Sequence, residues 1–308
     1  MNNIKETIKL IFKNEEKQIR LDKFLFEQNP EYSRSYFQNL IDKGLIQVNN
    51  KIITKNSYKL KNNDEIKISI PEEKQINLKA EKIDFEIVDN QPDFLIVNKP
   101  AGLLTHFAQN NPDEPSLVNG LLYKFKELKK ENFNDLQRPG IVHRLDKNTS
   151  GLLIIAKNIK SQITFSNMFK NRTIKKTYLV LVKGHPPKKG KIDFSIGRHP
   201  YKKHMMSHMG YFSKKAITYY QVIKNYKNCS LIEARIITGR THQIRVHFAA
   251  IGHGVIGDEI YGYNSKFIDR QALHSWKMSF EFNEQKFNYL KPVPQDFSNL
   301  LKALNTNS

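Results

Sequence analysis

The period of the apolar positions changes several times along the chain, and each change marks an element. After Gln18, the residues Ile19, Leu21, Phe24 and Leu25 recur at helical spacing until Asn29-Pro30 closes the run. Ser33 is a natural N-cap for a second helix carrying Tyr36, Phe37, Leu40 and Ile41, with Gly44 as its stop. Ile46-Gln47-Val48-Asn49 alternates like a strand, and Asn49-Asn50 is a hairpin turn into Lys51-Ile52-Ile53. A last strand, Glu65–Ile70, stops at Pro71. Residues 18–70 therefore read as two helices followed by short strands. Residues 71–82 are charged, lack an apolar cluster and read as a linker. From Asp84 a larger domain begins. Strand patterns cover Phe85–Val88, Phe94–Val97, Leu152–Ala156, Tyr178–Val182 and Leu231–Ile237. Helix patterns cover Leu117–Lys129, Lys160–Lys170 and Thr241–Ile251. Strands outnumber helices and do not alternate with them regularly, which predicts α+β rather than a doubly wound parallel sheet. No internal repeat or low-complexity tract interrupts the chain.

Composition narrows the class. A chain of 308 residues with 39% hydrophobic and 11% aromatic residues can bury two cores. The net charge of +20 favours a polyanionic partner, RNA or DNA first. Lysine supplies 40 of the 50 basic residues, so part of that charge is ordinary solvated surface. In the first unit the charges Arg20, Lys23, Arg34, Lys43, Lys51, Lys55 and Lys59 lie on the elements and not in a tail. They fit either a solvated face or a helix pair lying on phosphates, with Arg34 and Lys43 near the contact. Cys229 is the only cysteine, which excludes an internal disulfide and a Cys-based zinc site, and no metal is expected. A reducing compartment follows. No apolar run approaches the ~20 residues of a membrane span, and the start of the chain lacks a signal-peptide core. The chain is read as cytoplasmic, without a membrane partner.

Candidate chemistry begins with absences. There is no His-Glu-x-x-His, no P-loop lysine motif, no Gly-x-Gly-x-x-Gly and no Gly-x-Ser-x-Gly. What remains is chemistry done by side chains alone. The leading stretch is His143-Arg144-Leu145-Asp146-Lys147-Asn148-Thr149-Ser150-Gly151, a polar loop between the apolar runs Ile141-Val142 and Leu152–Ala156. Asp146 on such a loop could serve as a nucleophile at a sugar carbon, as a base, or as a brace. To stay ionised in a pocket it needs a cation. Thr238-Gly239-Arg240-Thr241-His242-Gln243-Ile244-Arg245 offers two. Thr241 reads as an N-cap, Gly252 as a stop, and Ile244, Phe248 and Ile251 as one apolar stripe. Arg240 then precedes the helix and Arg245 lies one turn inside it; either could reach Asp146. Two further segments stand out: Lys175-Lys176-Thr177-Tyr178-Leu179-Val180, a strand with one aromatic hydroxyl, and Asn98-Lys99-Pro100-Ala101-Gly102, a strand running into a turn.

Two resemblances bring these segments together. Residues 18–70 resemble the S4 RNA-binding domain through Arg20-Leu21-Asp22-Lys23-Phe24-Leu25, Ser33-Arg34-Ser35, Gly44 and Val48-Asn49. The four chemical segments resemble the RluA-type pseudouridine synthases, in family order, from about Gln18 to Phe297. The resemblance implies a catalytic domain over 83–303, with a large, mixed, mostly antiparallel sheet and flanking helices. It places the catalytic aspartate at Asp146, the active-site tyrosine at Tyr178, the aspartate's ion-pair partner at Arg245 with Arg240 second, and an apolar pocket residue at Leu273. A finer likeness, to the D subtype acting on large-subunit ribosomal RNA, rests on Gly197-Arg198-His199-Pro200, Met205-Met206, Asp269-Arg270-Gln271-Ala272-Leu273-His274 and Pro294-Gln295-Asp296. Leu103-Leu104-Thr105-His106-Phe107-Ala108 departs from the glycine-rich run of that family, which bears on the choice of uridine.

The resemblance implies conversion of uridine to pseudouridine by breaking N1–C1′, rotating the uracil and joining C5 to C1′, with no cofactor. Asp146 would assist cleavage through a sugar ester or a glycal, Arg245 would keep it charged, and Tyr178 would stack on the uracil. Arg144 would fill the gap left by the flipped nucleotide or bind phosphate. Arg240, Leu273, Arg20, Arg34 and Lys43 complete the expected RNA-binding set, and His143 and His242 are expected to be structural. The expected partner is ribosomal RNA, free or in an assembling large subunit, and the chain a monomer. The competing readings are the same chemistry on transfer RNA, a non-catalytic RNA-binding or ribosome-assembly protein, and a glycosidase lacking a second carboxylate.

Overall fold

The computed structural model describes residues 4–14, 18–29, 32, 34–71, 78–107, 114–129, 133, 138–202 and 205–306. The chain divides into two units, residues 1–77 and 78–308.

The first unit contains β1 (Ile4–Phe12), α1 (Leu21–Gln28), α2 (Arg34–Asp42), β2 (Ile46–Val48), β3 (Lys51–Ile52) and β4 (Asp64–Pro71). The strands form an antiparallel sheet in the order β1-β4-β2-β3. Asn49 and Asn50, at φ 49° and 62°, supply the left-handed pair that a two-residue hairpin demands. Leu21, Phe24 and Leu25 of α1 and Phe37, Leu40 and Ile41 of α2 close on Ile66, Ile68 and Ile70 of the sheet. Strand β1 lies upstream of residue 18, where the apolar pattern predicts no element. Its alternation is obscured because only Phe12 is fully buried, with Ile8 and Leu10 half-buried against the core. Ser33 lies outside the described residues.

The side chain of Asp22 is fully buried in this unit. It accepts from Arg20 Nε and Nη2 (both 3.0 Å), Arg34 Nη2 (2.9 Å) and Gln38 Nε2 (2.7 Å). Burial alone would raise its pKa; the bonds from Arg20, Gln38 and Arg34 outweigh that and hold it at about 2.

The second unit contains β5 (Glu86–Asn90), β6 (Phe94–Lys99), α3 (Leu117–Lys124) with a 3₁₀ turn at Lys126–Lys129, β7 (Ser150–Ala156), α4 (Ile159–Asn171), β8 (Lys175–Lys183), β9 (Lys189–Ile192), β10 (Ile196–Arg198), β11 (Met206–Ser207), β12 (Tyr211–Lys214), β13 (Thr218–Tyr226), β14 (Cys229–Ile236), α5 (Gln243–Ala250), β15 (Leu273–Phe282), β16 (Gln285–Leu290) and α6 (Gln295–Thr306). Nine strands form one mixed sheet in the order β5-β6-β7-β15-β8-β14-β13-β9, with β16 also on β15; β10, β11 and β12 make a small separate sheet. Every named pair is antiparallel except β7 with β15. This is the α+β architecture expected.

Alternation assigns the faces. Leu95, Val97, Leu153, Ile155, Val180 and Val182 face Leu117 and Leu121 of α3 and Phe248 of α5. Phe94, Ile96, Leu152 and Ile154 face Phe165 of α4 and Phe280 and Phe282. Phe94 meets Phe165, Phe280 and Phe282 edge-on at 5.3–5.6 Å, a geometry worth about 1 kcal/mol per pair beyond burial. Leu179, Leu181 and Leu231 pack on Phe297 and Leu300 of α6. Burial on both faces explains why the central strands read as continuous apolar runs.

Of the expected linker 71–82, residues 72–77 lie outside the described residues. Pro71 belongs to β4, and Leu78 packs on the core of the second unit. Asn119 fixes this stretch by donating to Lys79 O and accepting from Glu81 N–H through its own carbonyl. Among the described residues no helix is long and apolar enough to cross a membrane.

The parallel contact between β7 and β15 spans two pairs, Ser150 with His274 and Gly151 with Ser275. Gly151 has φ 114°, and a Cβ there would meet Ser275 O at 2.3 Å. Gly151 and Ser150 are therefore strand residues, and the turn before them ends at Thr149.

Two outcomes follow. Gly151→Ala is expected to cost more than about 3 kcal/mol, read as a lower urea midpoint of the second unit. For Asp22, the folded pKa lies below the unfolded one, so its stabilisation is complete above the unfolded value and is lost as pH falls toward about 2. Thermal melts should show Asp22→Asn well below wild type at neutral pH, with the gap closing in strong acid; a constant gap would deny that the charge matters.

Candidate active site

The loop before β7 is anchored at four successive carbonyls. Leu145 O accepts from Thr105 Oγ1 (2.9 Å), and Asp146 O accepts from Thr149 N–H (3.0 Å), closing a turn. Lys147 O takes Lys99 Nζ (2.9 Å) and Gly102 N–H (3.0 Å). Asn148 O takes Arg270 Nη1 (3.2 Å). Lys99 is fully buried, and its ammonium also donates to Pro100 O and Leu103 O at 2.8 and 2.7 Å. Burial pushes its pKa down to about 7, against the pull of the Asp146 charge. Three carbonyls around one ammonium thus tie the end of β6 to the Asp146 turn.

Asp146 points at α5. Arg245 Nη1 lies 3.2 Å from Asp146 Oδ2, and the rest of the guanidinium grips Asp258: Nε to Oδ2 at 2.6 Å and Nη2 to Oδ1 at 2.9 Å. Asp258 Oδ1 also accepts the N–H groups of Ile260 and Tyr261. Burial opposes the Arg245 charge, but the bonds and charge of Asp258, then Asp146, prevail and raise its pKa. Arg245 and Asp258 are 5% and 0% exposed at the side chain, Asp146 18%. The carboxylate that reaches the open space is thus the one held by a single N–H.

His242 stands on the other side. Its Nε2 is 3.9 Å from Asp146 Oδ1, and its Nδ1 is 2.8 Å from Tyr261 Oη. That oxygen already accepts Met206 N–H at 2.7 Å, so its own proton is free to go to Nδ1. The assigned tautomer then carries its proton on Nε2, facing Asp146. Burial lowers the pKa of His242, more than the Asp146 charge raises it, keeping the ring neutral. The Tyr261 ring lies 4.9 Å from the Arg245 guanidinium.

Asp146, Tyr178, Arg245, Arg144, Arg240 and Leu273 line one cavity of about 500 Å³. Tyr178 and Leu273 are buried in its wall; Arg144 is exposed at its rim. Burial first, and then the Asp146 charge, raises the pKa of the Tyr178 phenol. Arg240 turns away, its Nε donating to Lys215 O at 3.1 Å. Arg20 and Arg34 are tied to Asp22 in the first unit, and Lys43 is exposed just after α2. His143 is committed to the fold: its Nε2 accepts Ile154 N–H, its ring lies on Phe169, and burial drives its pKa to about 3. Among the described residues no three His, Cys, Asp or Glu side chains cluster as metal ligands.

Thr241 does not cap α5. His242 does, in the left-handed region at φ 56°. Gln243 sets the geometry, accepting Thr238 Oγ1 and Arg240 N–H on Oε1 and donating to Ile217 O and Thr218 Oγ1. Sequence reasoning passes over Lys99, Asp258 and Tyr261 as working residues. Lys99 stands in the strand-to-turn segment Asn98–Gly102, where its position alone suggests no role; Asp258 and Tyr261 follow Gly257 in a stretch without periodicity.

A family model described as RNA pseudouridylate synthase matches residues 93–250, and one for the S4 domain matches 19–66. An RNA pseudouridine synthase of Aquifex aeolicus is 41% identical over 86% of this chain and 83% of its own length. The ribosomal large subunit pseudouridine synthase D of Escherichia coli is 34% identical over 92% and 90%. The solved structure of human RNA pseudouridylate synthase domain containing 1 superposes with a TM-score of 0.57 at 27% identity, over 72% of this chain and 95% of that one.

Asp258→Asn removes one partner of a buried pair and sets an amide N–H against a guanidinium. It should cost about 3–5 kcal/mol in chemical denaturation; a loss below about 1 kcal/mol would mean that Arg245 is held by something else.

Proposed function

The chain belongs to the RNA pseudouridine synthases, enzymes that isomerise uridine, and we propose that it acts on large-subunit ribosomal RNA with Asp146 as the group that attacks the nucleoside. The observation that carries the catalytic assignment is the division of labour around Arg245: two bonds to buried Asp258 and one to Asp146, which faces the cavity. A carboxylate so held is oriented while its other lone pairs stay available.

The target uridine leaves its stack to bring C1′ within reach. Asp146 either bonds to C1′ as N1 departs or removes the C2′ proton to give a glycal; both routes need an ionised carboxylate. The freed uracil turns within the cavity, C5 bonds to C1′ as the Asp146–C1′ ester bond breaks or as the glycal takes its proton back at C2′ from Asp146, and the C5 proton leaves as N1 gains one. Tyr178, its phenol kept protonated by burial, presents a ring face and an O–H to the base and does not act as a phenolate. Leu273 supplies apolar wall, and Arg144 at the rim occupies the gap or meets phosphate. The ribosomal target rests on the names of relatives such as those of Haemophilus ducreyi and Escherichia coli, matched over nine-tenths of this chain. The S4 unit, with half-exposed Arg20 and Arg34 and exposed Lys43, adds affinity for structured RNA.

The test is tritium release from uracil-5-tritiated transcripts of the organism's own large-subunit ribosomal RNA and of its transfer RNAs. Release from the ribosomal transcript is expected, with Asp146→Asn at least about a thousandfold slower, equivalent to about 4 kcal/mol. Release from transfer RNA alone would move the target. Equal release by the variant would remove Asp146 from the chemistry, and none from either RNA would leave an RNA-binding role.

A further inference from the structure

Strand β8 carries two adjacent lysines with opposite fates. Lys175 points to solvent, whereas Lys176 is only 5% exposed and lies on the strand face of Tyr178, Val180 and Val182, where alternation calls for an apolar side chain. Its stem fills that position, and the residue lines the Asp146 cavity. The other buried cations of this unit are committed: Lys99 to three carbonyls, Arg245 to two carboxylates, Arg270 to Asp296 and loop carbonyls. Lys176 has no carboxylate partner among the described residues. Its Nζ meets Ile174 O at 3.5 Å, the limit of a hydrogen bond, and stands 5.0 Å over the Phe169 ring.

Two more cations line the same wall. Lys170 lies in the last turn of α4, and Arg172 caps the helix at φ 63°, where a helix normally stops on glycine. Neither forms an ion pair with a carboxylate among the described residues. We propose that Lys176, with Arg172 and Lys170, holds a phosphate of the RNA strand adjoining the uridine that enters the cavity. Two residue rises along β8, roughly 6.6 Å, separate Lys176 from Tyr178, a span of the order of that between a nucleotide's base and its phosphate. The site pins the backbone on one side of the flipped base while Asp146 works on the sugar. Burial depresses the ammonium's pKa to about 8, and a phosphate beside it favours the charged form.

This inference rests on the reading of the cavity as the uridine site, so the probe is poly(U), which requires no knowledge of the ribosomal target. Filter binding across a potassium chloride series compares wild type with Lys176→Met, which keeps the stem, and Arg172→Gly, which relaxes the left-handed backbone. Both variants should bind about five- to tenfold more weakly at the lower salt, and the slope of log affinity against log salt should shrink by about 0.7 for each cation removed. Lys176→Met should melt no lower than wild type, since it removes a buried charge without a carboxylate partner. Unchanged affinity and slope in both variants overturn the site. So does a lower melting temperature of Lys176→Met at unchanged affinity, which makes the lysine a packing residue. If Lys176→Met fails to fold, Arg172→Gly decides alone by the same two readings. Absence of tritium release from both RNA classes overturns the target reading and leaves this binding result standing.

Discussion

One guanidinium between two carboxylates organises the catalytic unit. Arg245 cannot be neutral, and in a site 5% exposed its charge must be matched where it sits. Asp258 matches it with the planar two-point geometry that fixes both groups, and is itself fixed by the N–H groups of Ile260 and Tyr261. The third donor is what Asp146 receives. Had Arg245 closed its fork on Asp146, the carboxylate would be neutralised at both oxygens and poor at attack. Dividing the fork lets one residue orient Asp146, the group proposed to attack, while leaving its other oxygen free of the guanidinium.

The same logic explains why the Asp146 turn is tied through its backbone. Each carbonyl from Leu145 to Asn148 is engaged by a different partner, so the turn is held by a frame before Arg245 orients the carboxylate. That frame lies where the sheet changes character. β15 pairs in parallel with β7 for two residues and then takes β16 as its neighbour. Polar groups gather at this switch and satisfy one another: Ser150 Oγ with His274 Nδ1, Ser275 Oγ to Leu152 O, Gln271 Nε2 to Thr149 Oγ1. An apolar switch would have packed, but it would not have aimed a carboxylate.

What can be read from the chain follows from how local each signal is. Asp146 and Arg245 sit in short motifs whose spacing carries meaning, and the central strands are apolar enough to declare themselves. Arg270 and Asp296 both stand in recognisable motifs, yet nothing within either motif says that they bond to each other across 26 positions. Lys99 reads as the end of a strand because its three acceptors lie on two loops. The start of α5 is misread because Thr241 fits the local capping rule, whereas Gln243, bonded to residues 217 and 218, decides where the helix begins. Short strands such as β10 and β11 hold two or three residues and leave no period to detect.

Net charge gives a similar lesson about function. A charge of +20 suggests a polyanion but not where it lies. Partner accounting does better, because a cation already facing a carboxylate or ringed by carbonyls has little left to offer a phosphate. Arg245, Arg270 and Lys99 are spent in this sense. Arg20 and Arg34 share one buried carboxylate between two guanidiniums, so part of their charge still faces outward. Around the cavity the cations left without carboxylates among the described residues are Arg144, Lys170, Arg172, Lys176 and Arg240, the last with its Nε on the Lys215 carbonyl. On the proposed reading, this local surplus of positive charge lies where a strand delivering a uridine to Asp146 would bring its phosphates, which would tie the binding surface to the chemistry more closely than the total charge does.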